Sequence, residues 1–78
     1  MALIVMPKLS EMSDEVELLE WMVAVGDTVV QDQLIARFET DNVVAEVPST
    51  VAGIVRRLIP EVSAICHTGD PLCEIDES

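Results

Sequence analysis

The stretch of sequence that decides the fold is Phe38-Glu39-Thr40-Asp41-Asn42-Val43-Val44-Ala45-Glu46-Val47-Pro48-Ser49. In its second half apolar residues recur at every other position, as at Val43, Ala45 and Val47, which is the period of a half-buried β-strand. Strand-like runs on both sides meet at Thr40-Asp41-Asn42, where an Asp-Asn pair favours a tight turn. The stretch therefore predicts a β-hairpin whose tip is residues 40–43.

The same period of two recurs elsewhere, for example at Val16 and Leu18, and turn signals interrupt it at short, regular intervals. These signals are Met12-Ser13-Asp14, Val25-Gly26-Asp27, Thr40-Asp41-Asn42, Pro48-Ser49, Pro60-Glu61 and Thr68-Gly69-Asp70-Pro71. Many β-branched residues and evenly spaced turns favour an all-β sandwich or barrel. No stretch of the sequence has a convincing helical pattern.

A weak internal repeat relates residues that are 37 positions apart. It pairs Trp21 with Leu58, Met22 with Ile59, Gly26 with Ser63, Val29 with Cys66, Ile35 with Leu72 and Phe38 with Ile75. Two similar halves of about four short strands each would then pack face to face and bury their inward sides.

Length and charge limit the function classes. The chain has 78 residues and a formal net charge of −11 at pH 7, so we expect one small domain over residues 1–78. A field of this sign repels phosphate groups, which argues against nucleic acid and anionic membrane surfaces as partners. The charge favours protein partners with basic patches, or else it only keeps a small domain soluble.

The start of the chain and its cysteines indicate the kind of cellular compartment in which the protein works. The first residues lack the basic start and long apolar run of a signal peptide, and no stretch is long enough for a membrane-spanning helix. Two cysteines, Cys66 and Cys73, do not make a disulfide framework. We therefore expect a soluble monomer in a reducing compartment, cytoplasmic in a bacterium or, second, the mitochondrial matrix.

Several short motifs follow one another in a fixed order and spacing. They are Met6-Pro7-Lys8-Leu9-Ser10, then Glu20-Trp21 leading to Gly26-Asp27-Thr28-Val29, then Asp32-Gln33-Leu34-Ile35-Ala36, the hairpin, Val47-Pro48-Ser49, Gly53, and Gly69-Asp70-Pro71-Leu72. Together they make nearly the whole chain resemble the lipoyl domains of the biotinyl/lipoyl-attachment family, the swinging-arm carriers of 2-oxo acid dehydrogenase complexes. The resemblance implies a flattened barrel or sandwich of two four-stranded antiparallel sheets with quasi-twofold symmetry.

The resemblance also places the attachment site. In the family a lysine at the hairpin tip carries lipoate, and here the matching residue is Asn42. Glu39, Thr40, Asp41 and Val43 match the flanking turn that the lipoylating enzyme recognises. An asparagine nitrogen is part of an amide with a delocalised lone pair, so it cannot form the bond that a lysine amine forms. We therefore expect no lipoyl cofactor on this chain, whether the loss is natural or engineered.

Two further residues bear on this expectation. Lys8 is the only lysine and lies near the start of the chain, away from the tip in the alignment. Ser63 stands where the family usually has a second turn glycine, and we expect this change to cost little because serine is a reasonable turn residue.

The resemblance implies a non-catalytic carrier domain within a dihydrolipoamide acyltransferase, a transferase of the 2-oxo acid dehydrogenase complexes. The implied partners are the decarboxylase and dehydrogenase components of the complex and a lipoate ligase. The alternative is a degenerate lipoyl-like module that binds protein or serves a structural role without carrying anything, since one fold supports many uses. A stand-alone enzyme is poorly supported because no catalytic constellation is visible.

Other chemical candidates have simpler interpretations. Cys66-His67 suggests a nucleophile and base, but neighbours on a strand point to opposite faces, so a buried structural thiol is expected at Cys66. A metal site from Cys66, His67, Asp70 and Cys73 lacks the Cys-x₂-Cys pair typical of zinc. Trp21 is expected to pack against the core. The pair Arg56-Arg57 is expected at a solvated edge, where it offsets nearby acids.

Overall fold

The computed structural model describes residues 1–9, 15–40 and 43–77. This part of the chain contains eight β-strands. They are β1 (Ala2–Val5), β2 (Glu15–Trp21), β3 (Thr28–Val29), β4 (Leu34–Thr40), β5 (Val43–Pro48), β6 (Gly53–Leu58), β7 (Ile65–His67) and β8 (Pro71–Asp76). Within these ranges no helix is long and apolar enough to cross a membrane.

The strands form two four-stranded sheets. Sheet A has the order β1-β8-β6-β3 and sheet B the order β5-β4-β2-β7. Neighbouring strands are antiparallel in both sheets. The predicted all-β sandwich of two four-stranded antiparallel sheets is therefore confirmed.

Alternation along the strands puts one set of side chains between the sheets. Val16 and Leu18 of β2 are buried, whereas Glu15 faces solvent, and the single phenylalanine, Phe38 of β4, is fully buried. The core consists of Ile4, Met6, Val16, Leu18, Val23, Val29, Ile35, Ala36, Phe38, Val47, Val55, Cys66, Leu72, Cys73 and Ile75. Burying each large apolar side chain contributes about 1.5–3 kcal/mol, so this core is the main source of stability.

The two halves are related by a quasi-twofold axis, as the 37-residue repeat predicts. Left-handed backbone conformations occur in two pairs with that spacing, at Gly26 and Ser63 and at Asp32 and Gly69. Turn hydrogen bonds repeat in the same way: the N–H of Asp27 donates to the carbonyl of Ala24 at 3.0 Å, and that of Ala64 to Glu61 at 3.0 Å. The operation maps β1, β8, β6 and β3 onto β5, β4, β2 and β7, so it exchanges the two sheets.

Ser63 occupies one of the left-handed positions, with φ of 78°. It is the third residue of the turn that the Glu61 carbonyl and the Ala64 N–H close, and a type II turn favours glycine there. This conformation argues against the expectation that serine costs little at position 63, because a Cβ crowds the backbone in the left-handed region. The quasi-equivalent Gly26, with φ of 98°, avoids this cost.

Strand register fixes which features share an end of the sandwich. Glu15 at the start of β2 lies opposite His67 at the end of β7. Thr40, the last residue of β4, contacts Glu15 at the same end. Strand β8 begins at that end of the sandwich, and near its other end Ile75 pairs with Ala2. The hairpin end therefore lies opposite the end where Ala2 and Ile75 pair near the two chain termini, as expected.

Candidate functional site

The hairpin predicted around residues 40–43 is formed by β4 and β5. Their register runs from Leu34 opposite Pro48 to Thr40 opposite Val43. The expected attachment position Asn42 and its neighbour Asp41 lie outside the described residues. The strands on both sides of this two-residue connection confirm the hairpin, and the fully buried Phe38 fixes it to the core.

Thr40 anchors the end of the hairpin to the middle of sheet B. Its side chain is only 6% exposed, and its hydroxyl donates to the backbone carbonyl of Glu15 at 3.4 Å. A buried hydroxyl without a partner would cost free energy, so this hydrogen bond favours one position of Thr40 against β2. The residue expected to flank the attachment position is thus also structural.

The other two flanking residues that the structure describes face solvent. Glu39 is exposed and lies opposite Val44 on β5 and Glu17 on β2. Val43 is 59% exposed and Val44 is 51% exposed. The root of the hairpin therefore presents a carboxylate and two valines to an approaching protein.

Lys8 lies at the same end of the sandwich as the hairpin, which the sequence alignment did not suggest. It follows Met6 by two residues, and Met6 exchanges backbone hydrogen bonds of 2.8 Å with Gly69 and Asp70. That turn leads from His67, which contacts Glu15 beside the hairpin. The exposed amine of Lys8 is distant from Thr40 and Val43 in sequence but lies at the same end of the molecule as these two residues.

Cys66 and His67 point to opposite sides of β7, as expected. Cys66 is 3% exposed, and burial, with a smaller effect of the Asp70 carboxylate, raises the pKa of its thiol. His67 is exposed, with its ring nitrogens 3.6 Å from a Glu15 oxygen and 3.5 Å from an Asp70 oxygen. A protonated buried thiol that faces away from the imidazole is a poor nucleophile, which confirms a structural role for Cys66.

The second thiol is also buried. Cys73 is fully buried in sheet A, and burial raises its pKa to about 11. Both cysteines are free thiols. Among residues 1–9, 15–40 and 43–77 no group of three or more histidines, cysteines and acids could hold a metal ion.

Trp21 packs against the core as expected, whereas Arg56 and Arg57 are solvated as expected but lie on β6, an inner strand of sheet A, and not on an edge strand. Trp21 is partly buried against the core, and its indole N–H donates to the carbonyl of Pro60 at 3.0 Å, which ties β2 to the turn before β7. Arg56 and Arg57 are exposed, and Arg56 pairs with Asp76 at 3.3 Å.

Comparison with known proteins assigns the family. A family model described as biotin-requiring enzyme, for biotin and lipoyl domains, matches residues 2–75. The chain belongs to the biotin/lipoyl domain family. A solved structure of the lipoyl domain of the 2-oxoglutarate dehydrogenase complex from Azotobacter vinelandii superposes on this biotin/lipoyl domain with a TM-score of 0.76. The two are 27% identical, over 96% of this chain and 95% of that one.

Curated relatives of this biotin/lipoyl domain include acyltransferases. It is 34% identical over 71 residues to the dihydrolipoyllysine-residue acetyltransferase component of the Staphylococcus aureus pyruvate dehydrogenase complex. It is 39% identical over 71 residues to the lipoamide acyltransferase component of the Pseudomonas aeruginosa branched-chain alpha-keto acid dehydrogenase complex. The matches cover 91% of this chain but only 16% and 17% of those proteins.

Proposed function

We propose that this chain is a carrier-type lipoyl domain of a 2-oxo acid dehydrogenase acyltransferase whose acceptor lysine is replaced by Asn42. The observation that carries the proposal is the β4–β5 hairpin, which keeps Glu39, Thr40 and Asp41 before a residue without an amine. The proposed domain spans residues 1–78. With asparagine at position 42, the chain carries no lipoyl group, and it holds no catalytic residue.

The chemistry of residue 42 decides between a working and a silent carrier. Lipoylation requires a primary amine on a flexible stem, which lysine supplies and which a carboxamide on a short stem does not. Asparagine does fit the conformation of a tight turn, so the replacement preserves the fold while it removes the reaction. The residues present therefore do not fit covalent attachment of lipoate at Asn42.

The proposed partners follow from this role. A carrier of this type meets the decarboxylase and dehydrogenase components of its complex, and a lipoate ligase modifies it once a lysine is present. The exposed Glu39 and Val43 beside the attachment position suit protein contacts, and the net charge of −11 disfavours nucleic acid. We place the domain in the bacterial cytoplasm.

A second candidate is a protein-binding or structural module that no longer carries anything. Asn42 itself favours this alternative, because it ends the carrier chemistry while the whole sandwich is retained. Retention of Glu39-Thr40-Asp41 favours the carrier ancestry, since a module under no selection for lipoylation has no reason to keep the turn.

Intact mass of an Asn42→Lys variant, after incubation with lipoate ligase, lipoate and ATP, tests the proposal. The unchanged chain is the blank, and Asn42→Lys/Lys8→Arg restricts any modification to position 42. A gain of one lipoyl group in both variants, but not in the blank, is expected. No gain in folded variants would favour the module, and a gain by the unchanged chain would point to Lys8.

A further inference from the structure

A row of four outward-facing residues crosses sheet B next to the hairpin end. Register places Val44 of β5 opposite Glu39 of β4, Glu39 opposite Glu17 of β2, and Glu17 opposite Ile65 of β7. Val44 is 51% exposed and Ile65 54% exposed, so the two acids lie between two exposed apolar side chains. With strands roughly 4.8 Å apart, this acidic row is about 14 Å long.

The two acids of the row oppose each other without a cation. Like charges directly opposite on neighbouring antiparallel strands destabilise a sheet. Neither Glu17 nor Glu39 forms an ion pair with another residue in the described part of the chain. The free domain therefore holds an unfavourable pair on an exposed face.

The next row of the same sheet shows how such a pair is neutralised. Arg37 lies between Glu46 of β5 and Glu20 of β2 in the register. Its guanidinium nitrogens approach Glu20 at 2.6 Å and Glu46 at 3.3 Å. One guanidinium thus bridges carboxylates from neighbouring strands, and the acidic row has no equivalent of Arg37.

The outer face of sheet A differs in charge. There Glu74 lies opposite Arg57, and Asp76 pairs with Arg56 at 3.3 Å, so acids and bases balance. Of the two outer faces, that of sheet B is thus the one on which two acids lie opposite each other without a base between them, beside the hairpin. Charge complementarity therefore favours a basic occupant for this face over a second copy of this acidic chain.

We propose that the acidic row is a docking surface for the decarboxylase component, which places an arginine between Glu17 and Glu39. Apolar side chains of the partner cover Val44 and Ile65. Arginine suits the position because its planar group contacts two carboxylates at once, as Arg37 does in the next row. The identity of the partner rests on the proposed function, but docking does not require a lipoyl group.

Binding kinetics of the unmodified chain test this surface. The probes are the decarboxylase components of the Staphylococcus aureus pyruvate and Pseudomonas aeruginosa branched-chain complexes. The variant is Glu17→Gln/Glu39→Gln, and the matched control is Glu74→Gln/Glu77→Gln, which makes the same charge change on the side of sheet A. We expect the variant to lose roughly tenfold or more in affinity for at least one probe, with a weaker salt dependence of association, and the control to change little.

Two further measurements separate docking from folding. The Glu17→Gln/Glu39→Gln variant should melt at a higher temperature than the unchanged chain, because the repulsion is gone, although it binds less well. Val44→Ser/Ile65→Ser should also weaken binding, by removal of the apolar contacts. A lower melting temperature of the first variant would contradict the repulsion on which the surface is argued.

Several outcomes would overturn the docking surface. These are equal weakening by the variant and the control, no weakening by either, and no binding of the unchanged chain to either decarboxylase. Failure of the proposed function has a different signature, which is an Asn42→Lys chain that lipoate ligase does not modify. If that chain is modified, and the decarboxylase acylates it equally fast with and without Glu17→Gln/Glu39→Gln, the function stands and the docking surface fails.

Discussion

Replacement of Ser63 by glycine should stabilise the domain, although glycine usually weakens ordered structure. Ser63 is exposed and has φ of 78°, so its Cβ crowds the backbone and makes no core contact in return. The quasi-twofold axis supplies a natural comparison, because Gly26 occupies the equivalent turn with φ of 98°. A Cβ added at Gly26 would meet no atom within 4 Å, so the reciprocal change Gly26→Ser tests backbone strain alone.

The magnitude follows from two opposing contributions. Holding a residue with a Cβ in the left-handed region costs roughly 1–2 kcal/mol. Replacement by glycine removes this strain but offsets about 0.4–1 kcal/mol of the gain, because glycine gives the unfolded chain more conformational entropy. The expected net gain for Ser63→Gly is about 0.5–1 kcal/mol, which in a domain of this size raises Tm by about 3–6 °C. Gly26→Ser should lower stability by a similar amount.

Urea denaturation and thermal melting of the unchanged chain, Ser63→Gly and Gly26→Ser, in reducing buffer, measure these changes in stability. Ser63→Ala is the control for the hydroxyl: alanine keeps the Cβ, so its stability should stay near that of the unchanged chain. A lower Tm for Ser63→Gly, or a Gly26→Ser variant as stable as the unchanged chain, would refute the argument from backbone strain. An equally stable Ser63→Gly and Ser63→Ala would assign the effect to the hydroxyl instead.

Two other predictions concern the core. Gly53→Ala should cost more than about 2 kcal/mol in urea denaturation, because the new Cβ would meet the backbone carbonyl of Asp76 on β8. Gly69→Ala, whose Cβ meets no atom within 4 Å, should cost only about 1 kcal/mol of left-handed strain, and equal losses would contradict the packing argument. Burial raises the pKa of Cys73 from 9.0 to about 11, so above pH 9 the unfolded thiol ionises while the folded one stays protonated. Stability should therefore be unaffected at neutral pH and fall between pH 9 and about 11, by of order 1–2 kcal/mol. Cys73→Val should make the fall in stability between pH 9 and about 11 smaller. Part of the fall should remain, because burial also raises the pKa of Cys66. An unchanged dependence of stability on pH would contradict the assignment of this fall to Cys73.

Most of the fold was predictable because its signals are local. Alternation at Val43, Ala45 and Val47 and the turn at residues 40–43 predict the hairpin, which the register of β4 and β5 confirms. The 37-residue repeat predicts two similar halves, and the paired left-handed turns at Gly26 and Ser63 bear this out. A sheet with one buried face imposes a period of two on its sequence, so the pattern can be read directly.

The candidate site was predictable only in part. The sequence indicated Glu39, Thr40 and Val43 as neighbours of the attachment position, and the structure shows two exposed residues and one buried hydroxyl. The contact of Thr40 with Glu15 joins residues 25 positions apart. No local pattern specifies such a contact, because it depends on how β2 and β4 align.

The sequence by itself determined the strands, the turns, the apolar core and the amide at residue 42, because each depends on the chemistry of a residue and its near neighbours. Tertiary structure alone decided that Glu17 faces Glu39, that Lys8 shares an end with the hairpin, and that Ser63 is held in a left-handed turn. The first two depend on how distant strands pair, and the third on the turn that the sheets impose. Charge proximity and backbone strain arise only once those strands are packed together.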